Sequence, residues 1–413
     1  MYQKIASLRE KKGFIISLLF ASDFISILDR MVMTLAIALI GKEFLLNEAA
    51  QGWIMSIFFV GYALMSVPGG WLADKFGSKV VIISSITIWS VFTILTGNAW
   101  SWTSILVIRF LFGLGEGGFP AASMKAVSEY VRRENRPRMQ AILKANGPIT
   151  ITLTPLITAP LMYLLGWRTM FVVIGILGIV IAALYLLVPR PEQLLSTTQE
   201  QSTKMPFREV IRLPKVWHFT IAWFGLNGAM WGFASWLPTY LMKSRGLDLL
   251  HAGIYSAMPG LAGALGTVVG GILIDKLFVN REKYLFLIAG VLGGSFLYAM
   301  FFSTSLLMIL LYEGIAAFFL QMCIGGLWSI PHKMFPASSI GSVSGIMNFG
   351  GQIAAILAPV TMGYLITMYQ GTFTGAVWYL MGALIIFILA ALGIRFQETN
   401  GKHTNDSLNY TSN

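Results

Sequence analysis

The chain has 413 residues, of which 56% are hydrophobic and only 11% are charged, and its formal net charge is +11. Soluble domains carry about 25% charged residues, so this composition excludes a soluble globular protein and predicts a chain that crosses the membrane many times. A single cysteine, Cys323, excludes a disulfide framework and a cysteine-based metal site, and we predict no cofactor and no bound metal.

Apolar runs of about 20 residues, bounded by charges or turn residues, predict the membrane spans. Twelve can be placed, in two groups of six on either side of a polar segment at 189–213. The first run continues to about Ile40 without a small-residue cleavage site, so we interpret it as an uncleaved span and not as a signal peptide. The predicted spans are 13–40, 49–73, 79–98, 102–124, 139–163, 168–188, 215–242, 249–275, 284–303, 305–331, 340–366 and 372–394.

These spans predict an all-α membrane protein with twelve transmembrane helices in two pseudo-symmetric six-helix bundles. The N-terminal bundle is expected over 1–190, a cytoplasmic linker over 191–213, the C-terminal bundle over 214–396 and a cytoplasmic tail over 397–413. Of the 29 lysines and arginines, 23 fall on the side that holds both termini, which the positive-inside rule assigns to the cytoplasm. This charge bias explains the positive net charge, so we predict no nucleic-acid partner.

A repeated motif supports the division into halves. The stretch 70–79 (GWLADKFGSK) follows the second span, and 271–276 (GILIDK) follows the eighth. One such signal would be an ordinary charged loop, but two at matching places favour structural repeats related by an axis along the membrane normal. The glycine allows two helices to approach closely, and the aspartate can cap a helix end or form an ion pair across the interface. The basic residues anchor the short loop. The predicted gating residues are Gly70, Asp74, Lys75, Gly77, Lys79 and Asp275.

Charged residues inside the predicted spans are the clearest functional signal. Asp29 and Arg30 lie near the middle of the first span, and Arg109 and Glu116 lie two helical turns apart in the fourth. A charge at this depth costs at least ~2.5 kcal/mol, so such residues usually face a water-filled substrate or ion path. A structural ion pair between the two helices, such as Arg30 with Glu116, is compatible with that role, and the sequence leaves both open.

The second half offers further polar candidates. Glu313 in the tenth span is a second candidate for proton coupling or substrate contact. Asn348 and Gln352 lie one turn apart on the same face of the eleventh span, where amides bind substrate hydroxyls or bridge helices. We predict substrate contact for Asn348 and a structural role for Gln352. Asn227 lies among tryptophans of the seventh span, which we interpret mostly as packing residues.

No motif in the sequence indicates enzyme chemistry. The stretch 113–118 matches the GxGxxG pattern, but it lies inside a membrane span with no preceding strand, so a dinucleotide site is rejected. Metalloprotease, P-loop and nucleophile-elbow motifs do not occur in the sequence. We therefore predict that the protein is not an enzyme.

The spans and motifs together resemble the major facilitator superfamily. Within it, the chain is similar to the anion:cation symporter family, which includes sialin and bacterial hexuronate, glucarate and galactonate carriers. The resemblance extends over roughly 13–395 and is carried by 28–30 in the first span, 61–74 in the second and 109–120 in the fourth. It implies the major facilitator fold and a monomer in the cell membrane of a prokaryote.

The resemblance also implies roles for individual residues. By analogy with galactonate carriers, Asp29 and Glu116 would form the proton-coupling pair, and Arg30 would pair with an acid. Arg109 would neutralise the coupling carboxylates or hold the anion. The residues that would contact the substrate are Tyr62, Trp328 and Asn348.

The resulting functional prediction is alternating-access symport of a small organic anion, in the first place a monoanion, with protons, in the lipid bilayer. A sugar acid such as a hexonate, hexuronate or aldarate is expected. Ile27 stands where galactonate carriers have a binding tyrosine, and Gly147 stands near their binding glutamine, so a small non-sugar carboxylate stays an alternative. A drug/proton antiporter is a second alternative, disfavoured by the embedded arginines, and a non-transporting sensor is a third.

Overall fold

The structure is a computed structural model that describes residues 2–131, 135–188, 207–279, 281–335 and 339–394. Over these ranges the chain is helical or lies in short connecting turns, with no strand. The described helices, in chain order, are α1 (Tyr2–Glu43), α2 (Glu48–Phe76), α3 (Ser78–Gly97), α4 (Trp102–Glu116), α5 (Phe119–Tyr130), α6 (Arg136–Leu186), α7 (Phe207–Val210), α8 (Pro214–Arg245), α9 (Leu249–Tyr255), α10 (Met258–Lys276), α11 (Glu282–Phe302), α12 (Leu306–Met334), α13 (Ile340–Met368) and α14 (Thr374–Leu392).

These helices make the twelve predicted spans. Among the described residues, ten helical segments are long and apolar enough to cross a membrane. One of them, Ala145–Leu186 in α6, has 42 residues, about twice the length that a bilayer requires. It turns at Gly166, whose φ of 77° interrupts the helix, so it supplies two spans. The 32-residue α8, which is not among these ten segments, corresponds to the remaining predicted span.

The predicted all-α fold is confirmed, with two differences in the bounds of the spans. The fourth span, predicted at 102–124, is divided at Gly117–Gly118 into α4 and α5. The fifth and sixth spans follow each other without a loop, because the break between their two helical parts is confined to Gly166.

The predicted domain bounds fall partly outside the described residues. The predicted linker residues 191–206 and the predicted tail at 397–413 lie outside those ranges. The end of the predicted linker includes the short helix α7. The division into bundles at 1–190 and 214–396 stays a prediction, as does the cytoplasmic location of both termini.

A glycine pair sets the crossing of α2 and α4. A Cβ on Gly61 would overlap the carbonyl of Phe110, and a Cβ on Gly113 would overlap the carbonyl of Phe58. Small residues let membrane helices approach closely and gain van der Waals packing. The crossing therefore requires glycine at both positions, and it determines where the charged residues of α4 lie.

The two halves of the chain are bonded together at the predicted outer end, where α2 begins and α13 ends. Lys243 Nζ of α8 lies 2.7 Å from Glu48 Oε1 of α2. The Ala49 amide donates to Thr367 Oγ1 of α13 at 3.1 Å. These contacts hold the predicted outer end closed.

Candidate functional site

The four intramembrane charges of α1 and α4 form two crossed ion pairs. Arg30 donates to Glu116 Oε1 through Nε, at 2.7 Å, and through Nη2. Arg109 Nη1 lies 3.8 Å from Asp29 Oδ1. Each helix contributes one acid and one base, so the four side chains are neutral in sum when all are ionised.

Glu116 is fully buried, and its contacts are concentrated on one carboxylate oxygen. Oε1 accepts a hydrogen bond from Ser26 at 2.5 Å in addition to those from Arg30. Its Oε2 has no hydrogen-bond partner among the described residues. A buried polar atom without a partner is costly, so the described side chains satisfy this carboxyl group only in part.

Asp29 is also fully buried, and its pairing with Arg109 is looser. Oδ2 accepts a hydrogen bond from Thr93 of α3. The 3.8 Å between Arg109 and Asp29 Oδ1 is too long for a hydrogen bond. Within the described ranges, Nε and Nη1 of Arg109 have no acceptor, although its guanidinium lies 4.6 Å from the ring centre of Phe112. Arg109 thus retains N–H groups for a further acceptor.

Both arginines line one small pocket between the two halves of the chain. The pocket has room for about one water molecule, so the structure is closed around it in this conformation. Most of its wall is apolar, and Thr34 and Ser235 supply hydroxyl groups. The apolar side chains of the wall are Met33, Met55, Phe58, Phe59 and Trp231.

Tyr62, a predicted substrate residue, lies beside the pocket. The guanidinium carbon of Arg30 is 4.8 Å from its ring centre and 5.3 Å from that of Phe58. Cation–π contacts of this kind help to hold a guanidinium in place. The structure therefore brings Tyr62 to Arg30, and its contact with a substrate stays a prediction.

The predicted residues of the second half stand apart from this pocket, as far as the described residues show. Trp328 packs edge-on against Trp223, with 5.4 Å between ring centres. Asn227 donates to a backbone carbonyl of α13 at 2.7 Å. Asn348 is exposed, and Gln352 has a buried Oε1 without a partner among the residues described. Substrate contact by Trp328 and Asn348 stays a prediction.

Glu313 is separate from both ion pairs. It is fully buried in α12, and neither of its oxygens has a hydrogen-bond partner in the described part of the chain. Tyr240 of α8 is close enough to interact with it electrostatically. The Tyr240 hydroxyl accepts hydrogen bonds from Arg245 at 2.9 and 2.6 Å. A role for Glu313 in proton coupling stays a prediction.

The predicted gating loop joins α2 to α3 at Gly77. This glycine has a φ of 85°, ends α2 and begins α3. Lys79 Nζ donates to two carbonyls at the end of α6, at 2.9 and 2.5 Å. Asp74 accepts from Lys125 of α5 at 3.2 Å. The loop is therefore bonded to other elements of the first half.

The other loop predictions have mixed outcomes. Gly70 is not the point of closest approach, because a Cβ there would make only an ordinary contact at 3.7 Å. The adjacent Gly69 lies against Gly118 instead, where a Cβ would overlap the backbone. Lys75 Nζ lies 4.8 Å from the centre of a neighbouring tryptophan ring, and Asp275 is exposed at the end of α10. The gating role stays a prediction.

Several hydroxyl groups of the site were missed by sequence reasoning. Ser26 and Thr93 donate to the two buried carboxylates, and Thr34 and Ser235 line the pocket. Serine and threonine are frequent in membrane helices, and no spacing identifies those that reach another helix. The one available signal was that Ser26 lies one helical turn before Arg30, on the same face.

We expect Gly52→Val to open the predicted outer end and expose the pocket. Gly52 lies against the carbonyl of Pro359 on α13, where any Cβ would overlap the backbone, and overpacking of this kind costs ~1–3 kcal/mol. A cost of ~1.4 kcal/mol shifts the equilibrium between two conformations about tenfold. A cysteine introduced at the buried Ser235 should then react about tenfold faster with a membrane-impermeant maleimide applied to intact cells.

Gly382→Val is the matched control, because a Cβ there has nothing within 4 Å in the described part of the chain. It should leave the labelling rate unchanged. The native Cys323 is buried and should give little background. An unchanged labelling rate in a well-expressed Gly52→Val protein would contradict the proposed closure at this end.

The sequence profile of the Major Facilitator Superfamily matches residues 19–359. The chain is 32% identical to the probable sulfoacetate transporter of Cupriavidus necator, over 83% of this chain and 84% of that protein. It is 27% identical to the probable L-galactonate transporter of Escherichia coli K12, over 84% and 82% of the two chains. Its fold is similar to the crystal structure of a bacterial homologue of the human lysosomal transporter Spinster, in an inward-facing and occupied conformation. That similarity has a TM-score of 0.81 at 21% identity and covers 94% of this chain and 98% of the other.

Proposed function

The chain belongs to the Major Facilitator Superfamily of membrane transport proteins, and we propose that it carries an organic anion together with protons by alternating access. The observation that carries the proposal is the crossed pairing of Asp29 with Arg109 and of Glu116 with Arg30, in which both arginines line one pocket. The relatives support an organic anion as the substrate, since they are named as transporters of sulfoacetate and L-galactonate.

In the proposed cycle, Asp29 and Glu116 take up protons and thereby release the two arginines from their counter-ions. Arg109 then binds the anion, because a guanidinium is permanently charged and matches the planar geometry of an acid group. The empty site with intact ion pairs is neutral in sum, whereas the protonated site carries the charges of two arginines, which a bound anion compensates. Enclosing a neutral site in a low-dielectric interior costs far less than enclosing a charged one.

The kind of acid is part of the proposal. The sequence predicts a sugar acid, with contacts from Tyr62, Trp328 and Asn348. The apolar wall of the pocket supports the alternative of a small non-sugar acid. An organic cation, as in a drug/proton antiporter, is disfavoured because Arg30 and Arg109 both line the pocket.

The proposed setting is the cell membrane of a prokaryote, in which the protein spans the bilayer many times. A cytoplasmic location of both termini is supported by the distribution of lysine and arginine. A monomeric state belongs to the proposal because each chain contains both halves that enclose the pocket.

Uptake into proteoliposomes tests the proposed function. Purified protein is supplied with hexonates, hexuronates, aldarates and short carboxylates, with and without an inside-alkaline pH gradient. At least one acid should accumulate, up to about tenfold per pH unit for each proton carried. The absence of gradient-driven uptake for every acid would refute proton symport. Proton-driven efflux of an organic cation would favour the antiporter instead.

A further inference from the structure

We infer that the acid carried by this pocket is a short dianion, with two acid groups on a bridge of few carbons. This inference rests on the proposed function and narrows it. Its basis is that two guanidinium groups line one pocket whose remaining wall is mostly apolar.

The two guanidinium groups are close enough for one short molecule to reach both. The guanidinium carbons of Arg30 and Arg109 lie 5.3 and 5.4 Å from the centre of the same ring, that of Phe58. Their separation cannot exceed the sum of these two distances. Two carboxylates or sulfonates joined by a bridge of about two carbons can therefore pair with one arginine each.

The charge of the loaded site favours two negative groups. When both coupling carboxylates carry protons, Arg30 and Arg109 lose their counter-ions. A monoanion would compensate one arginine and leave the other as an uncompensated charge in apolar surroundings, which is costly. A dianion compensates both, so the number of protons carried equals the charge of the anion and transport is electroneutral.

Asp23 is the other acid that interacts electrostatically with Arg30. Its Oδ2 accepts a hydrogen bond from Asn146 of α6 at 2.9 Å. Asp23 does not belong to the described lining of the pocket. An anion bound in the pocket is therefore better placed than Asp23 to compensate the positive charge of Arg30. The Tyr62 ring contacts the same guanidinium but carries no charge.

The small number of hydrogen-bonding side chains in the wall of the pocket disfavours a polyhydroxylated acid. Each buried hydroxyl group without a hydrogen bond costs ~1–3 kcal/mol. Apart from the arginines, the described wall of the pocket offers only the hydroxyl groups of Thr34 and Ser235 and the indole N–H of Trp231. Asn227 of the same helix as Ser235 is already bonded to the backbone of α13. A sugar acid would leave several hydroxyl groups unsatisfied here, whereas a short dianion has none to satisfy.

An exchange assay in proteoliposomes tests this inference. Succinate is compared with butyrate, which has the same chain length and one acid group, and with galactonate, which has one acid group and many hydroxyls. Succinate should half-saturate exchange at a concentration at least about tenfold lower than either, the factor that corresponds to ~1.4 kcal/mol. Sulfoacetate, a second short dianion, should behave like succinate.

A double substitution tests whether Arg30 binds the second acid group of the dianion. Arg30→Gln with Glu116→Gln removes one ion pair and leaves the net charge of the site unchanged. The preference for succinate over butyrate should fall from at least tenfold to about one, while exchange continues through Arg109. The matched control is Arg168→Gln with Glu43→Gln, which removes an arginine–glutamate pair of 2.6 Å at the outer end and should preserve the preference.

Equal or stronger binding of butyrate or galactonate by the parent protein would overturn the inference, and so would an unchanged preference in the Arg30/Glu116 double variant. The proposed function would survive both results if a pH gradient still drives accumulation. If no acid is taken up, the proposed function fails and the inference falls with it. If the double variant does not fold, the preference of the parent protein decides.

Discussion

Glu116→Gln should lower accumulation driven by a pH gradient about tenfold per pH unit, through loss of one coupled proton, and leave anion exchange in place. Each pH unit supplies ~1.4 kcal/mol per proton, so a one-unit gradient should give about tenfold accumulation through each coupled proton in the parent. The glutamine keeps an oxygen that accepts from Ser26 and Arg30, but it cannot gain or lose a proton. The measurement is uptake of labelled anion into proteoliposomes, with and without the gradient, beside counterflow at equal pH.

The same substitution at Glu313 distinguishes the two halves of the chain. Glu313 is equally buried but lies in α12, away from both ion pairs. Glu313→Gln should keep the accumulation that Glu116→Gln loses. If Glu116→Gln retains accumulation and Glu313→Gln loses it, proton coupling would have to be assigned to the second half of the chain.

Arg109→Lys should weaken binding of the anion by about 100-fold, although the positive charge is retained. A hydrogen bond to a charged group contributes ~1.5–3 kcal/mol, and lysine cannot reproduce the planar fork that arginine offers to an acid group. Arg109 has the N–H groups for this contact, because its Nε and Nη1 lack an acceptor among the described residues. The concentration of anion that half-saturates exchange measures the loss.

Arg168→Lys is the control for this substitution. Arg168 is an arginine paired with Glu43 at the predicted outer end, where its side chain is 38% exposed. Its replacement should leave the half-saturating concentration unchanged. Full affinity in Arg109→Lys, together with a loss in Arg30→Lys, would show that Arg30 is the main receptor for the anion.

Much of the candidate site could be predicted from the sequence. Asp29, Arg30, Arg109 and Glu116 could be singled out because each interrupts a long apolar run, and that is a local property. The pairing could not be derived, since two acids and two bases on two helices allow more than one arrangement. The crossing of α2 and α4 at Gly61 and Gly113 helps to place the charges of α4, and such contacts form only between distant segments.

In the second half of the chain, the motifs do not predict which residues line the pocket. Trp328 and Asn348 were predicted as substrate contacts by resemblance, and in this conformation neither belongs to the described wall of the pocket. Trp231 and Ser235 do line it, although nothing in their spacing distinguishes them from packing residues. Contacts between the halves change as a transporter alternates, so the residues that meet a substrate depend on the conformation as well as on the sequence.

The membrane class, the twelve spans and the two helices that carry buried charge can be predicted from the sequence, because the cost of placing a polar group in lipid applies to each segment separately. The folded chain adds that Arg30 holds Glu116 tightly while Arg109 holds Asp29 loosely, and that both arginines line one pocket. These features depend on distances between helices, which the packing of the whole chain sets.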